Sequence, residues 1–147
     1  MKLTRTTKRA SGMTLLELTV VILVLLSLIS ILFIGARAWK RGSDRAGAIL
    51  TIRNVQQAVR SFANMNGHDP GDTVAGLKGE IIGAGKFIEN DPEAADAHPA
   101  TGFTFDIGTP DDVPDVGALY METTGTGSGT DNDPDYYNPD PADITDW

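Results

Sequence analysis

The 147-residue chain has no cysteine, which excludes disulfides, thiolate metal sites and a cysteine nucleophile. It has only two histidines, His68 and His98, both in stretches rich in Gly, Pro and Asp where exposed turn residues are expected. Positive charge nearly vanishes after residue 60: Lys78 and Lys86 stand against eighteen Asp and Glu, a net of −16. Such a surface repels a phosphate backbone, so no nucleic-acid partner is expected there. A phosphate-cradling loop is missing too, because Gly83-Ala84-Gly85-Lys86 lacks the full P-loop spacing. The paired Asp111-Asp112 reads as a turn rather than an acid/base couple. No enzyme is expected.

What is present is concentrated at the other end. Residues 1–60 carry ten Lys and Arg against Glu17 and Asp44, a net of +8, and these cations flank an apolar run. Residues 1–12 (MKLTRTTKRASG) hold four cations and no anion. Then come 24 residues, Met13 to Ala36, with Glu17 as the only charge. At ~1.5 Å per residue, a helix of that length covers ~36 Å, more than a ~30 Å hydrocarbon core.

Three readings compete for this segment. A cleaved secretory signal has an apolar region of about 7–15 residues, shorter than this one, although Ala36-Arg37-Ala38 does have the A-x-A form of a cleavage site. A plain signal anchor accounts for length and flanking charge but not for Glu17, since a carboxylate inside a spanning segment costs about 2.5–3.5 kcal/mol. Glu17 could also simply reach the headgroup layer.

The third reading is a family resemblance. Gly12-Met13-Thr14-Leu15-Leu16-Glu17 resembles the cleavage and methylation motif of type IV prepilins and type II secretion pseudopilins: a glycine, a hydrophobic residue, then Thr-Leu-x-Glu. The resemblance implies cutting after Gly12 by a prepilin peptidase and N-methylation of Met13, where phenylalanine is commoner. It also implies that Glu17 neutralises the amino terminus of a neighbouring subunit as helices pack into a filament. Cations lie on both sides of the span, so the positive-inside rule barely decides orientation. A cytoplasmic leader and an external C-terminal part follow from the resemblance alone.

Beyond Ala36 the pattern turns amphipathic. Ile49, Ile52, Val55, Val59 and Phe62 recur every three or four residues, with Arg53, Gln56, Gln57 and Arg60 on other faces. One helix is expected from about Thr14 to Met65, with bends available at Gly35, Gly42 or Gly47 and a stop at Gly67 before Pro70. Residues 67–147 hold twelve Gly and all eight Pro, the mark of a loop-rich head. Phe103, Phe105 and Ile107 alternate with polar residues as in a half-buried strand, and Ala118-Leu119-Tyr120-Met121 offers a second. Thr123 to Thr130 (TTGTGSGT) has a linker's composition. Asn66-Gly67-His68-Asp69-Pro70 is similar to the turn after the long helix of pseudopilins, and Gly76-Leu77-Lys78 to the short helix start that follows it. The fold class expected is α+β: a long N-terminal helix, half membrane-spanning and half amphipathic, packed on a small head with a short antiparallel sheet. The expected divisions are a cytoplasmic leader, 1–12; the transmembrane and assembly helix, 13–36; the amphipathic helix, 37–66; and the head with its acidic loop, 67–147.

Six aspartates, from Asp131 to Asp146, fall within sixteen residues among Pro134, Pro139 and Pro141. A turning loop of carboxylates suits calcium, which takes six to eight oxygens; composition alone favours a solvated acidic tail. The EF-hand glycine and closing Glu are absent. Here again there is a resemblance: Asp143-Ile144-Thr145-Asp146-Trp147 is similar to the Asp-Ile-x-x-Trp ending of major pseudopilins, whose C-terminal loop binds calcium. It implies Asp143, with Asp131 or Asp133 upstream, as calcium ligands. Pro141 stands where the family is often acidic, and Val116-Gly117-Ala118-Leu119-Tyr120 keeps only the end of the family's Pro-Trp-Gly-x-x-Tyr.

The resemblance therefore implies a homo-oligomeric filament subunit in the inner membrane, its head in the periplasm, assembled into a pseudopilus that drives protein export. Its partners would be the prepilin peptidase, a secretion platform protein and minor pseudopilins. A type IV pilin serving adhesion, motility or DNA uptake is the alternative, though many of those carry a disulfide loop that this chain cannot form. A membrane-anchored calcium-binding protein is another.

Overall fold

The computed structural model describes residues 14–127, 133–145 and Trp147. The fold is mixed α+β, with a long apolar N-terminal helix and a small head that carries a two-stranded antiparallel sheet. The chain divides into two compact units, Met1–Trp39 and Lys40–Trp147.

Helix α1 runs Leu15–Asn66 without interruption, through Gly35, Gly42 and Gly47. Its end is a Schellman cap: Gly67 takes the left-handed φ of 73°, and the His68 N–H donates back to the Ala63 carbonyl at 2.9 Å. The His68 ring then stacks on Phe62, the hydrophobic contact that accompanies this cap.

In the second unit, α1 contributes Ala48, Ile52, Val55, Val59 and Ala63 to the core. The expected stripe is thus shifted by a residue at its start. Ile49 is only half-buried, and the smaller Ala48 takes the core position. Gln56, expected on an outer face, is buried at 2 % exposure. Its side-chain amide donates to the Ala118 carbonyl at 3.0 Å and accepts the Tyr120 N–H at 2.9 Å.

That amide explains a second difference. Ala118 to Met121 is not a strand, because the Tyr120 N–H is taken by Gln56 rather than by a ladder partner. Strand β1 is Phe103–Asp106 and β2 is Glu122–Gly125, antiparallel with Phe103 opposite Gly125 and Phe105 opposite Thr123. The threonines that read as linker by composition, Thr123 and Thr124, are β-branched and sit in β2. Gly125 is required there: at φ 107° an added Cβ would lie 2.8 Å from the Gly102 carbonyl oxygen.

Helix α2, Leu77–Ile81, begins where Gly76-Leu77-Lys78 suggested. Leu77 and Ile81 close the core with Phe103, Phe105, Ile107, Val113, Tyr120 and Met121. The Tyr120 hydroxyl donates to the Pro110 carbonyl at 2.7 Å, and burial pushes that phenol well above its ordinary pKa. Both lysines of the head are used internally. Lys78 pairs with Glu93, which raises its pKa, and Lys86 donates to the Gly79 carbonyl.

Candidate functional site

Among the described residues one helix, α1, has a stretch long and apolar enough to cross a membrane, near its N-terminal end, and none of that stretch is buried. Leu15, Leu16, Leu23, Leu32 and Ile34 are all largely exposed, an unpartnered surface far beyond what a water-soluble chain presents. The hydroxyls in the run are satisfied by their own helix. Thr19 donates to the Leu16 carbonyl, Ser27 to Val24 and Ser30 to Leu26, at 2.8–2.9 Å. Glu17 is therefore the one group there with a charge to satisfy.

Glu17 closes a capping box with Thr14. The Thr14 N–H and hydroxyl donate to Glu17 Oε2 at 2.8 and 3.0 Å, and the Glu17 N–H donates to Thr14 Oγ1 at 3.3 Å. A Thr at the N-cap with Glu three residues on satisfies two of the helix's otherwise unpaired donors, and a carboxylate at that end also suits the helix dipole. The Thr-x-x-Glu spacing carried this signal in the sequence. Gly12 and Met13 lie outside the described residues.

The acidic tail is built from two 3₁₀ turns, Pro134–Tyr137 and Pro141–Asp143. Each has an Asp cap followed by Pro. Asp133 accepts the Asp135 N–H at 3.0 Å, and Asp140 accepts the Ala142 N–H at 2.9 Å. Asp143 closes the second turn and is exposed. Asp131 lies outside the described residues. Among the described residues, no three His, Asp or Glu side chains come together around one point that could hold a cation. Ile144 is buried, and Trp147 packs against the core, its main-chain oxygen held by Arg60 at 2.9 Å. Trp147 thus ties the end of the tail to α1 through Arg53 and Arg60.

His98 is not the exposed turn residue that its surroundings in the sequence implied. It is 8 % exposed, boxed by Phe105, Tyr137 and Phe103 at ring distances of 4.6, 5.3 and 5.7 Å. Its Nδ1 lies 3.1 Å from both the nitrogen and the oxygen of Ala100, and its Nε2 lies 3.4 Å from Thr123 Oγ1. Nothing in the sequence signals this, since the rings come from β1 and the tail.

Burial pushes the His98 pKa below its ordinary value, against the opposing pull of the Ala100 carbonyl and Asp44. The unfolded chain, with an ordinary histidine near pH 6.5, then binds a proton that the folded chain refuses. Stability should be full above that pH and should fall as pH drops through it, by up to about 1.4 kcal/mol per pH unit, until the depressed folded value is reached. Urea midpoints between pH 5 and 8 would show this slope in the wild type and a flatter one in His98→Gln.

Compared with protein-family models, curated proteins and solved structures, the chain finds no match in any of the three.

Proposed function

We propose that this chain is the precursor of a structural subunit of a pilus-like filament, of the type II secretion pseudopilin kind, and that it polymerises through α1 to drive protein export. The observation that carries the reading is the combination at the head of α1. A basic leader ending in Gly12 precedes a Thr14–Glu17 capping box, and an uncovered apolar run follows. A run left uncovered by the described residues needs lipid before assembly and other copies of itself afterwards.

On this reading a prepilin peptidase cuts after Gly12, and Met13 becomes a methylated amino terminus. The inner membrane holds α1 until a platform protein and minor pseudopilins organise the polymer in the periplasm. The docking of Trp147 on α1, through Arg53 and Arg60, supports the pseudopilin over the type IV pilin, because it gives the closing Trp of the Asp-Ile-x-x-Trp ending a structural task.

The test is N-terminal sequencing, with intact mass, of the protein extracted from membranes. A mature chain beginning at methylated Met13 is expected. A product beginning at Met1, or beyond Ala36, would overturn the reading.

Calcium belongs to the same reading, with Asp131, Asp133 and Asp143 as its ligands in the tail. Millimolar calcium is then expected to raise the melting temperature of the purified chain by several degrees, reversibly with EGTA, and to leave Asp143→Ala unmoved. Identical melting with and without calcium would leave the aspartates as turn caps and solvated surface.

A further inference from the structure

On α1, Arg53, Gln57, Arg60, Ser61 and Asn64 recur at helical spacing and so share one stripe. With Trp147 at its edge, the stripe lines a cleft of about 390 Å³ that includes no Asp or Glu side chain among the described residues. Two contacts hold the cations in place. The Arg53 guanidinium lies 4.5 Å above the Trp147 ring, and Arg60 donates to the main-chain oxygens of Asp115 and Trp147 at 2.9 Å each. Neither arginine has a carboxylate side chain within ion-pair distance among the described residues. Arg60 Nε is shielded from water and makes no hydrogen bond.

The complement to this cleft is on the same chain. Residues 61–147 carry eighteen acids against two lysines, and those lysines are already engaged within the head. The head therefore exposes unneutralised carboxylates, and the stem presents fixed guanidinium groups whose planar forks match carboxylates. A chain with both halves of a contact on different faces joins copies head to tail, and such an interface grows an open polymer.

We propose that the Arg53–Arg60–Trp147 cleft is a carboxylate socket and that its occupant is an acidic side chain on the head of a second copy. The proposal rests on the filament reading above and adds to it the contact that sets one head against the next stem. Arg53 is exposed, so its replacement leaves the core intact.

The experiment compares full-length wild type, Arg53→Glu and Arg53→Lys expressed in cells, scoring leader removal, membrane insertion and filaments released by shear. Arg53→Glu should be processed and inserted like the wild type but yield at least tenfold fewer filaments, with Arg53→Lys recovering most of the yield. Carbodiimide treatment of Arg53→Lys filaments, grown from mixed light and ¹⁵N-labelled copies, should join Lys at 53 to an Asp or Glu of residues 61–147 on the other isotopic copy. Filament yield undiminished in Arg53→Glu would overturn the socket, as would a cross-link confined to one copy or made to a different protein. A wild type that is processed yet forms no filament would instead remove the filament reading and the socket with it.

Discussion

Glu17→Gln is expected to abolish filaments while leaving leader removal and membrane insertion as in the wild type. The substitution separates two tasks that alanine would remove together. Glu17 caps its own helix through Thr14, and a glutamine at the third helical position can close the same box. What glutamine lacks is the charge. In the filament proposed above, that charge would face the amino terminus of the adjoining copy, and removing it would leave a buried ammonium unpaired. Breaking a buried ion pair from one side costs about 3–5 kcal/mol, a loss of roughly 10²–10⁴ in each subunit's association. A polymer that depends on many such steps does not form. Quantitative shearing and electron microscopy of cells producing wild type, Glu17→Gln and Glu17→Ala give the answer. Should Glu17→Gln assemble and only Glu17→Ala fail, the carboxylate matters as a helix cap, and the inter-subunit pair is wrong.

The features legible in the sequence were those with a period or a cap. The 24-residue apolar run, the three-four spacing from Ile52 to Val59 and the Gly67 stop together gave α1 nearly to the residue, and the alternation at Phe103, Phe105 and Ile107 gave β1. Period fails where a polar residue is buried for its hydrogen bonds. Gln56 looks like a surface residue by hydropathy, and only the position of the 118–120 backbone makes it a core group. The apolar run 118–121 points to a strand four residues ahead of β2 for the same reason, since Tyr120 and Met121 are core without being ladder. His98 resembles a turn residue in the sequence because its box is assembled from segments distant in the chain, which no local pattern reports. In the tail, Asp133, one of the expected ligands, caps a turn, as does Asp140 outside that set, a role that the Asp-Pro pairs at 133–134 and 140–141 do signal.

Gln56→Leu should be the most damaging single change in the head. Leucine fills much the same space and keeps the site apolar, so the loss is confined to the amide. Two main-chain groups, the Tyr120 N–H and the Ala118 carbonyl, would then lack partners where water has little access. An unsatisfied buried group costs about 1–3 kcal/mol, so the pair amounts to roughly 3–4 kcal/mol. A domain of this size has about 5–15 kcal/mol in total, and each kcal/mol moves its melting point by about 4–8 °C. A fall of at least 12 °C is expected by near-UV circular dichroism of the detergent-solubilised chain. Gln57→Leu is the internal standard, because Gln57 is exposed one residue away and its replacement should stay within about 0.5 kcal/mol of wild type. Equal melting of the two variants would mean that the 118–120 segment holds its place without the amide. A large gap would locate the head's stability at the point where α1 grips the chain leading into β2. A subunit loosened there should be processed and inserted normally yet be lost before assembly, the converse of Glu17→Gln, which should accumulate as a folded monomer.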